Sequence, residues 1–217
     1  MAENDYVVVA PKAPKEIEQD SSQFNRIDKS FQVVGILTGY GPNPTTSATG
    51  LQAGYFLNRE MLLLVEATSG KRGNFFSSSI YEDDTKGQTF GVHFKHHTGN
   101  SFYYKTGLDY RKIDYRYSYQ SSINGDESIS FNGDSVAATF QIGNQWQWDN
   151  FTMGCDWVGI SVPLTHNTNN EYISPGAQAS DSTGLSNYYR KKLDDNISSV
   201  SKDSAATLLR FYLGFSW

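Results

Sequence analysis

Eight ionisable side chains lie on one face of strand-like segments and are the strongest candidates for chemistry in this 217-residue sequence. Within their segments they occupy every second position, and the positions between them are largely apolar or aromatic. Successive side chains of a strand point to opposite faces, so these groups share the side away from the hydrophobic one. The set is Glu66, His93, Lys95, Lys105, Asp109, Arg111, Asp156 and Arg210.

Two roles fit a polar face that is closed off from water inside a small barrel. The first is a plug of ion pairs, because the interior of an eight-stranded barrel is just wide enough to be filled by side chains. Burying an unpaired charge is costly, so charges of both signs are expected to pair there. The second role is a gated, narrow path for ions or solutes. The size of the predicted barrel favours the plug.

Metal and redox chemistry find no support in the sequence. The histidines His93, His96, His97 and His166 lack the second ligand cluster that zinc spacing requires. Cys155 is the single cysteine, so an internal disulfide is excluded and we expect it to pack as a small apolar residue. We predict no metal and no cofactor.

The stretch 205–217 shows the pattern of the supporting elements most clearly. One face carries Leu209, Phe211, Leu213, Phe215 and Trp217, and the other carries Leu208, Arg210, Tyr212, Gly214 and Ser216. An apolar face ending in aromatics, opposite a face that holds a charge, is typical of a strand between lipid and a polar lumen.

Seven earlier segments share this alternation, which predicts eight strands in all. Beyond Arg111 the aromatic residues change parity, which we interpret as a bulge in the fifth strand. The predicted strands are 30–40, 49–57, 60–68, 87–97, 101–119, 135–148, 151–166 and 205–217.

The links between these strands alternate in length. They are two or three residues long after the second, fourth and sixth strands, and longer after the others. The polar stretches 69–86 and 166–204, and the stretch with the pairs Asn124-Gly125 and Asn132-Gly133, are predicted loops. Short turns at one end and long loops at the other, with an even strand number, predict an all-β, antiparallel, up-and-down transmembrane barrel over 29–217. Residues 1–28 are predicted to be a periplasmic arm, flexible or loosely docked.

The composition of the chain is compatible with a transmembrane barrel. The mean hydropathy is −0.52, which is no objection because only alternate residues of a membrane barrel face lipid. No apolar run is long enough for a helical membrane span. The net charge is −5 without a basic stripe, so nucleic acid is not an expected partner. Residues 1–5 lack the features of a secretory signal, which we take to have been removed.

In these features the sequence resembles the small outer-membrane barrels of Gram-negative bacteria, of the OmpA/OmpX-like, porin-like type. The end Phe211-Tyr212-Leu213-Gly214-Phe215-Ser216-Trp217 resembles their C-terminal signal, with Trp in place of the more usual final Phe. The resemblance implies an outer-membrane location, contact with membrane lipids including lipopolysaccharide, and recognition of the terminal strand by the barrel-assembly machinery. It covers about residues 29–217 and does not specify an activity.

Aromatic residues gather near the short-turn end, where a membrane barrel carries an interfacial girdle. The predicted girdle consists of Phe102, Tyr104, Trp146, Trp148, Phe151, Phe215 and Trp217.

We also consider a homo-oligomer, because Asn144, His96 and Ser161 fall on the predicted lipid-facing side.

Two other functions were weighed. A soluble lipocalin-like barrel would have an apolar interior and a polar exterior, opposite to the pattern here. A lipid-modifying outer-membrane enzyme is suggested by His96-His97 near Asn100-Ser101. However, the His-x-Ser-Asn pattern of the lipid A deacylases is absent, and the topology places these residues at the periplasmic end. We therefore predict that the chain is not an enzyme.

Overall fold

Eight antiparallel strands close into a barrel in the order β1-β2-β3-β4-β5-β6-β7-β8, with β8 pairing back onto β1. The computed structural model describes residues 21–40, 47–72, 81–121, 125–173 and 204–217. The all-β, up-and-down barrel predicted from the alternation is confirmed, including closure between the first and last strands. The elements are α1 Ser22–Asn25, β1 Phe31–Tyr40, β2 Ser47–Asn58, β3 Met61–Arg72, β4 Tyr81–His97, β5 Phe102–Ser121, β6 Gly125–Trp148, β7 Phe151–Ile173 and β8 Ala205–Ser216.

The side chains are distributed inside out relative to a soluble protein. Leu213 on β8 is 60% exposed, whereas its neighbour on the other face, Tyr212, is 2% exposed. The same alternation places Leu51, Phe90 and Leu108 outside and charged residues inside. Exposed large hydrophobic residues therefore form a continuous outer belt, which a soluble monomer rarely carries.

The central strands are longer than the sequence pattern predicts. Strands β4 to β7 contain 17, 20, 24 and 23 residues, whereas β1 contains 10 and β2, β3 and β8 contain 12 each. Parts of the predicted loops 69–86 and 166–204 are therefore strand, and Asn132-Gly133 lies inside β6 rather than in a turn; Asn124 lies outside the described residues. The alternation fails to detect these extensions because their backbone hydrogen bonds need no apolar face.

The predicted bulge in the fifth strand is wrong. The register of β5 with β4 and with β6 runs without a shift from Tyr103 to Tyr119, and Ile113 continues the inward-facing set. The aromatic residues beyond Arg111 change parity without any change in the backbone.

Irregularities occur instead at the end of β2, between Phe56 and Asn58, at two places in β7, and in β8. The register of β6 with β7 shifts between Ile142 and Gly143, where Trp157 is the extra residue on β7. Trp157 and Val158 consequently both point outward, and so do Leu208 and Leu209 on the neighbouring strand. Leu209 has a φ of 52°, in the left-handed region that non-glycine residues enter at a cost.

This change of face corrects two sequence-based assignments. Leu208, predicted to face the lumen, is 46% exposed on the outside, and Ser161, predicted to face lipid, is 1% exposed inside. One inserted residue moves the following side chains of its strand to the other face, on β7 up to a second register shift at Leu164.

Ahead of the barrel, the short helix α1 lies against its short-turn end. Ser21 caps the helix by accepting a hydrogen bond from the Phe24 amide at 3.1 Å. Among the described residues, no helix has the length and apolar character needed to span a membrane.

Candidate functional site

The barrel interior contains all eight ionisable residues singled out from the sequence. They project from five strands, β3, β4, β5, β7 and β8, and each is at most 3% exposed. Alternation alone brings them together, because each occupies an inward position of its strand. They are Glu66 on β3, His93 and Lys95 on β4, Lys105, Asp109 and Arg111 on β5, Asp156 on β7 and Arg210 on β8.

The centre of this network is a bidentate ion pair across the lumen. Arg210 donates from Nη1 to Glu66 Oε1 at 2.8 Å and from Nη2 to Glu66 Oε2 at 2.5 Å. Lys105 Nζ lies 3.5 Å from Glu66 Oε2. Paired N–H donors match the two oxygens of a carboxylate, which makes this the strongest type of protein ion pair. It ties β8 to β3, which are not neighbours in the barrel.

A second carboxylate shares the same two cations. Asp156 Oδ2 lies 3.1 Å from Lys105 Nζ and 3.6 Å from Arg210 Nε, and the Tyr103 hydroxyl donates to Asp156 Oδ1. Glu66, Asp156, Lys105 and Arg210 therefore form a group of two negative and two positive charges. Because the charges balance, the group can stay ionised away from water.

Lys95 is held differently, by hydroxyl, amide and aromatic partners. Its Nζ donates to Gln145 Oε1 and to the Tyr212 hydroxyl, both at 3.0 Å. The ammonium also lies 4.2 Å from the Tyr103 ring centroid and 4.4 Å from that of Tyr212, within cation–π range. Neither tyrosine is among the residues that the sequence predicts for the lumen network. Their position on the inward face was the available signal, but they carry no charge.

His93 lies between two carboxylates on the neighbouring strands. Its Nε2 is 3.3 Å from Glu66 Oε1 and 3.0 Å from Asp109 Oδ1, and its Nδ1 is 3.4 Å from Thr139 Oγ1. Gly91 stands opposite both Glu66 and Asp109 in the register. A Cβ at position 91 would overlap Asp109 and His93, so glycine is required for this close approach.

Glu66, His93 and Asp109 are also the group in the described chain whose atoms could serve as three metal ligands, all within 4.8 Å of one another. The charges around them argue against a divalent ion. The lumen set has three carboxylates against four Lys and Arg cations, and Arg210 already binds Glu66. A protonated His93 would contact the same two carboxylates and add one positive charge, whereas a divalent ion would add two.

Arg111 lies nearer the long-loop end, where its Nε donates to Ser135 Oγ at 3.1 Å. The opposite, short-turn end of the lumen is closed by neutral hydrogen bonds. Thr152 donates to Gln147 Oε1, and Thr152 Oγ1 is 2.7 Å from Ser216 Oγ. Hydrogen-bonded side chains therefore lie in the interior between the short turns and the level of Arg111.

Residues 21–28, the part of the predicted arm that the structure describes, are attached to this closed end. Arg26 is fully buried and donates to the backbone carbonyls of Arg59, Gly99 and Asn100 at 3.1, 3.1 and 2.9 Å. Burial lowers the pKa of its guanidinium to about 10, so the group stays charged at neutral pH. Ser22 Oγ accepts from the Gln147 amide at 3.0 Å. The segment thus joins the three short turns.

The seven aromatic residues of the predicted girdle all point outward near the short-turn end. Trp148 and Phe151 stack with centroids 6.0 Å apart, and Phe151 meets Phe215 edge-on at 6.1 Å. Asn144, considered as a sign of self-association, is satisfied within the chain. It donates to Ser101 Oγ and accepts from Trp157 Nε1, both at 2.8 Å. Ser161 lies inside the lumen. Asn144 and Ser161, two of the three polar residues considered, therefore give no evidence for self-association.

Solved outer-membrane barrels have a similar fold. A major outer membrane protein from Thermus thermophilus aligns over 88% of this chain and 100% of its own, with 8% identity and a TM-score of 0.52. Ail, the attachment invasion locus protein of Yersinia pestis, aligns over 87% and 99%, with 11% identity and a TM-score of 0.48. Acinetobacter baumannii CarO aligns over 85% and 97%, with 10% identity and a TM-score of 0.45.

Comparison of the sequence with protein-family models and with curated proteins gives no match. At these identities the structural likeness concerns the fold alone. The chain is an eight-stranded antiparallel barrel whose architecture is similar to that of outer-membrane proteins.

Proposed function

We propose that this chain is an integral outer-membrane β-barrel with a structural role, whose lumen is plugged by charged side chains. The observation that carries the proposal is the inverted distribution of polarity. Charged residues such as Glu66 and Arg210 are almost fully buried, while residues such as Leu213 and Phe215 are about 60% exposed. Lipid is the surrounding in which this distribution is stable.

The two ends of the barrel have different roles in this proposal. The short turns, the chain end at Trp217 and the helix α1 face the periplasm, and the girdle aromatics anchor this end at the interface. The long central strands β4 to β7 extend beyond the short ones at the other end, which in this proposal faces the outside of the cell and its partners. The partners in the membrane are lipids, including lipopolysaccharide, and the barrel-assembly machinery would recognise β8.

Refolding tests the membrane location. We expect the denatured chain to fold only in detergent or lipid, and the folded barrel to migrate differently on a gel before and after boiling. A well-behaved monomer in buffer without detergent would overturn the proposal and favour a soluble ligand-binding barrel.

A gated path is the second candidate, and one contact favours it. Lys105 Nζ lies within 3.5 Å of both Glu66 and Asp156, so a shift of this cation from one carboxylate to the other would leave both in contact with Arg210. Planar-bilayer recording separates the two roles. A plugged barrel gives a flat current trace, whereas discrete conductance steps would support the gated path.

A further inference from the structure

A guanidinium group is enclosed at the short-turn end of the barrel by three backbone carbonyls. Arg26 is 0% exposed, and each of its three nitrogens donates to a different carbonyl. Nε donates to Arg59 at 3.1 Å, Nη1 to Asn100 at 2.9 Å and Nη2 to Gly99 at 3.1 Å. We call these three carbonyl groups the carbonyl cradle.

The barrel positions the carbonyl cradle without help from residues 21–28. The carbonyl of Glu60 accepts from the His97 amide at 2.7 Å, which fastens the β2–β3 turn to the end of β4. The amide of Thr98 donates to the carbonyl of Phe102 at 3.0 Å and closes the β4–β5 turn. The acceptors of the cradle lie in these two turns, so their positions are set by the strands on either side.

The arrangement of the three acceptors fits a guanidinium better than an ammonium. A guanidinium is planar and directs its N–H groups in a fixed fork, so three nitrogens can reach three separate carbonyls at once. An ammonium has its donors on one nitrogen and is a compact point charge. Because the acceptors are neutral carbonyls, donor geometry contributes to selection together with charge. Shielding from water strengthens each of the bonds electrostatically.

Other contacts attach residues 21–28 to the β6–β7 hairpin. Ser22 Oγ accepts from the Gln147 amide, and Asn25 Nδ2 donates to the Gln147 carbonyl, both at 3.0 Å. Neither bond involves Arg26, which reaches the other two turns instead. Shortening Arg26 to alanine therefore keeps these two attachments and removes the guanidinium from the carbonyl cradle.

We propose that the carbonyl cradle is a guanidinium-binding site at the mouth of the barrel, and that Arg26 is its intramolecular ligand. Residues 21–28 are then an autoinhibitory segment, because a second guanidinium can enter only after Arg26 has left. The ligand class is a molecule that carries a guanidinium group. The site goes beyond the structural role proposed above, and it does not depend on what surrounds the outer belt.

Chemical rescue of Arg26→Ala tests the site in the full-length chain. This substitution removes Cγ, Cδ and the guanidinium, which are the atoms that ethylguanidinium supplies. Urea unfolding from lipid vesicles is measured with ethylguanidinium or ethylammonium at equal ionic strength, well below denaturing concentrations. Ethylguanidinium should raise the ratio of folded to unfolded R26A by about elevenfold at ten times its dissociation constant. Ethylammonium should have a clearly smaller effect, and the wild type, whose cradle is occupied, should not respond.

The control for loss of a positive charge is Lys112→Ala. Lys112 lies towards the long-loop end, 3.5 Å from Asp114, and its side chain is 48% exposed. K112A should not respond to ethylguanidinium. An unresponsive R26A, an equal response in R26A and K112A, or equal rescue by the two cations would overturn the proposal. If R26A folds too poorly for unfolding curves, its refolded yield on a gel replaces them, and a yield that ethylguanidinium leaves unchanged would equally overturn it.

Discussion

Replacing Glu66 with Gln should cost far more stability than replacing any exposed acidic residue. Glu66 is 3% exposed and accepts two hydrogen bonds from Arg210, at 2.8 and 2.5 Å, with Lys105 Nζ at 3.5 Å. The isosteric amide removes the negative charge and leaves Asp156 as the carboxylate in contact with Arg210 and Lys105. Breaking a buried pair by removing one partner costs about 3–5 kcal/mol.

The matched control is Glu60→Gln. Glu60 lies 3.5 Å from Arg59 at the short-turn end, and both side chains are more than 40% exposed. Exposed pairs contribute at most about 1 kcal/mol. Reversible urea unfolding from lipid vesicles should therefore show E66Q losing at least about 2 kcal/mol more than E60Q, by the difference of these ranges.

A double-mutant cycle with Arg210→Gln isolates the pair. Removing both charges leaves no unpaired partner at this contact, and the two amides can bond to each other. The double variant should therefore lose clearly less stability than the sum of the two single losses. Strict additivity, or an E66Q no less stable than E60Q, would refute the assignment of Glu66 to the centre of the network.

Three further results are expected. Arg26→Met removes the bonds to the carbonyls of two short turns and should lower stability by about 2–4 kcal/mol, with faster proteolysis of the chain before β1; unchanged proteolysis would contradict the docking. Gly91→Ala should destabilise the barrel by about 1–3 kcal/mol through overlap with His93, while Gly99→Ala, which meets nothing within 4 Å, changes little; equal effects would refute the close approach. Phe211→Arg places a charge in the outer belt and should cost about 2–4 kcal/mol in lipid, measured by the same unfolding assay; a neutral result would contradict a lipid-facing belt.

The period-two pattern carried enough information to predict the barrel and the face of most charged residues. A charge such as Arg210 or Asp109 alternates with large apolar residues over several positions, so its side is fixed by local sequence. The strand order follows because short links join neighbouring antiparallel strands.

Features without a period could not be predicted in the same way. The extra residue Trp157 reverses the facing of β7 up to a second register shift at Leu164, and Leu209 does the same beside it on β8. No composition signal precedes either change, so Ser161 and Leu208 were assigned to the wrong face. The extensions of β6 and β7, residues 125–134 and 167–173, consist mostly of polar residues and glycine and resemble loops in sequence. The role of Arg26 depends on carbonyl groups of distant turns, which side-chain types do not reveal.

Tryptophan fluorescence in brominated lipid tests the central claim most directly, and it needs no variant. The four tryptophans, Trp146, Trp148, Trp157 and Trp217, all project from the outer face of the barrel. If this face meets lipid, vesicles of brominated phosphatidylcholine should quench most of the emission relative to unbrominated vesicles of the same chain length. Emission that is equally strong in both vesicles, from a chain shown to be folded, would contradict the account.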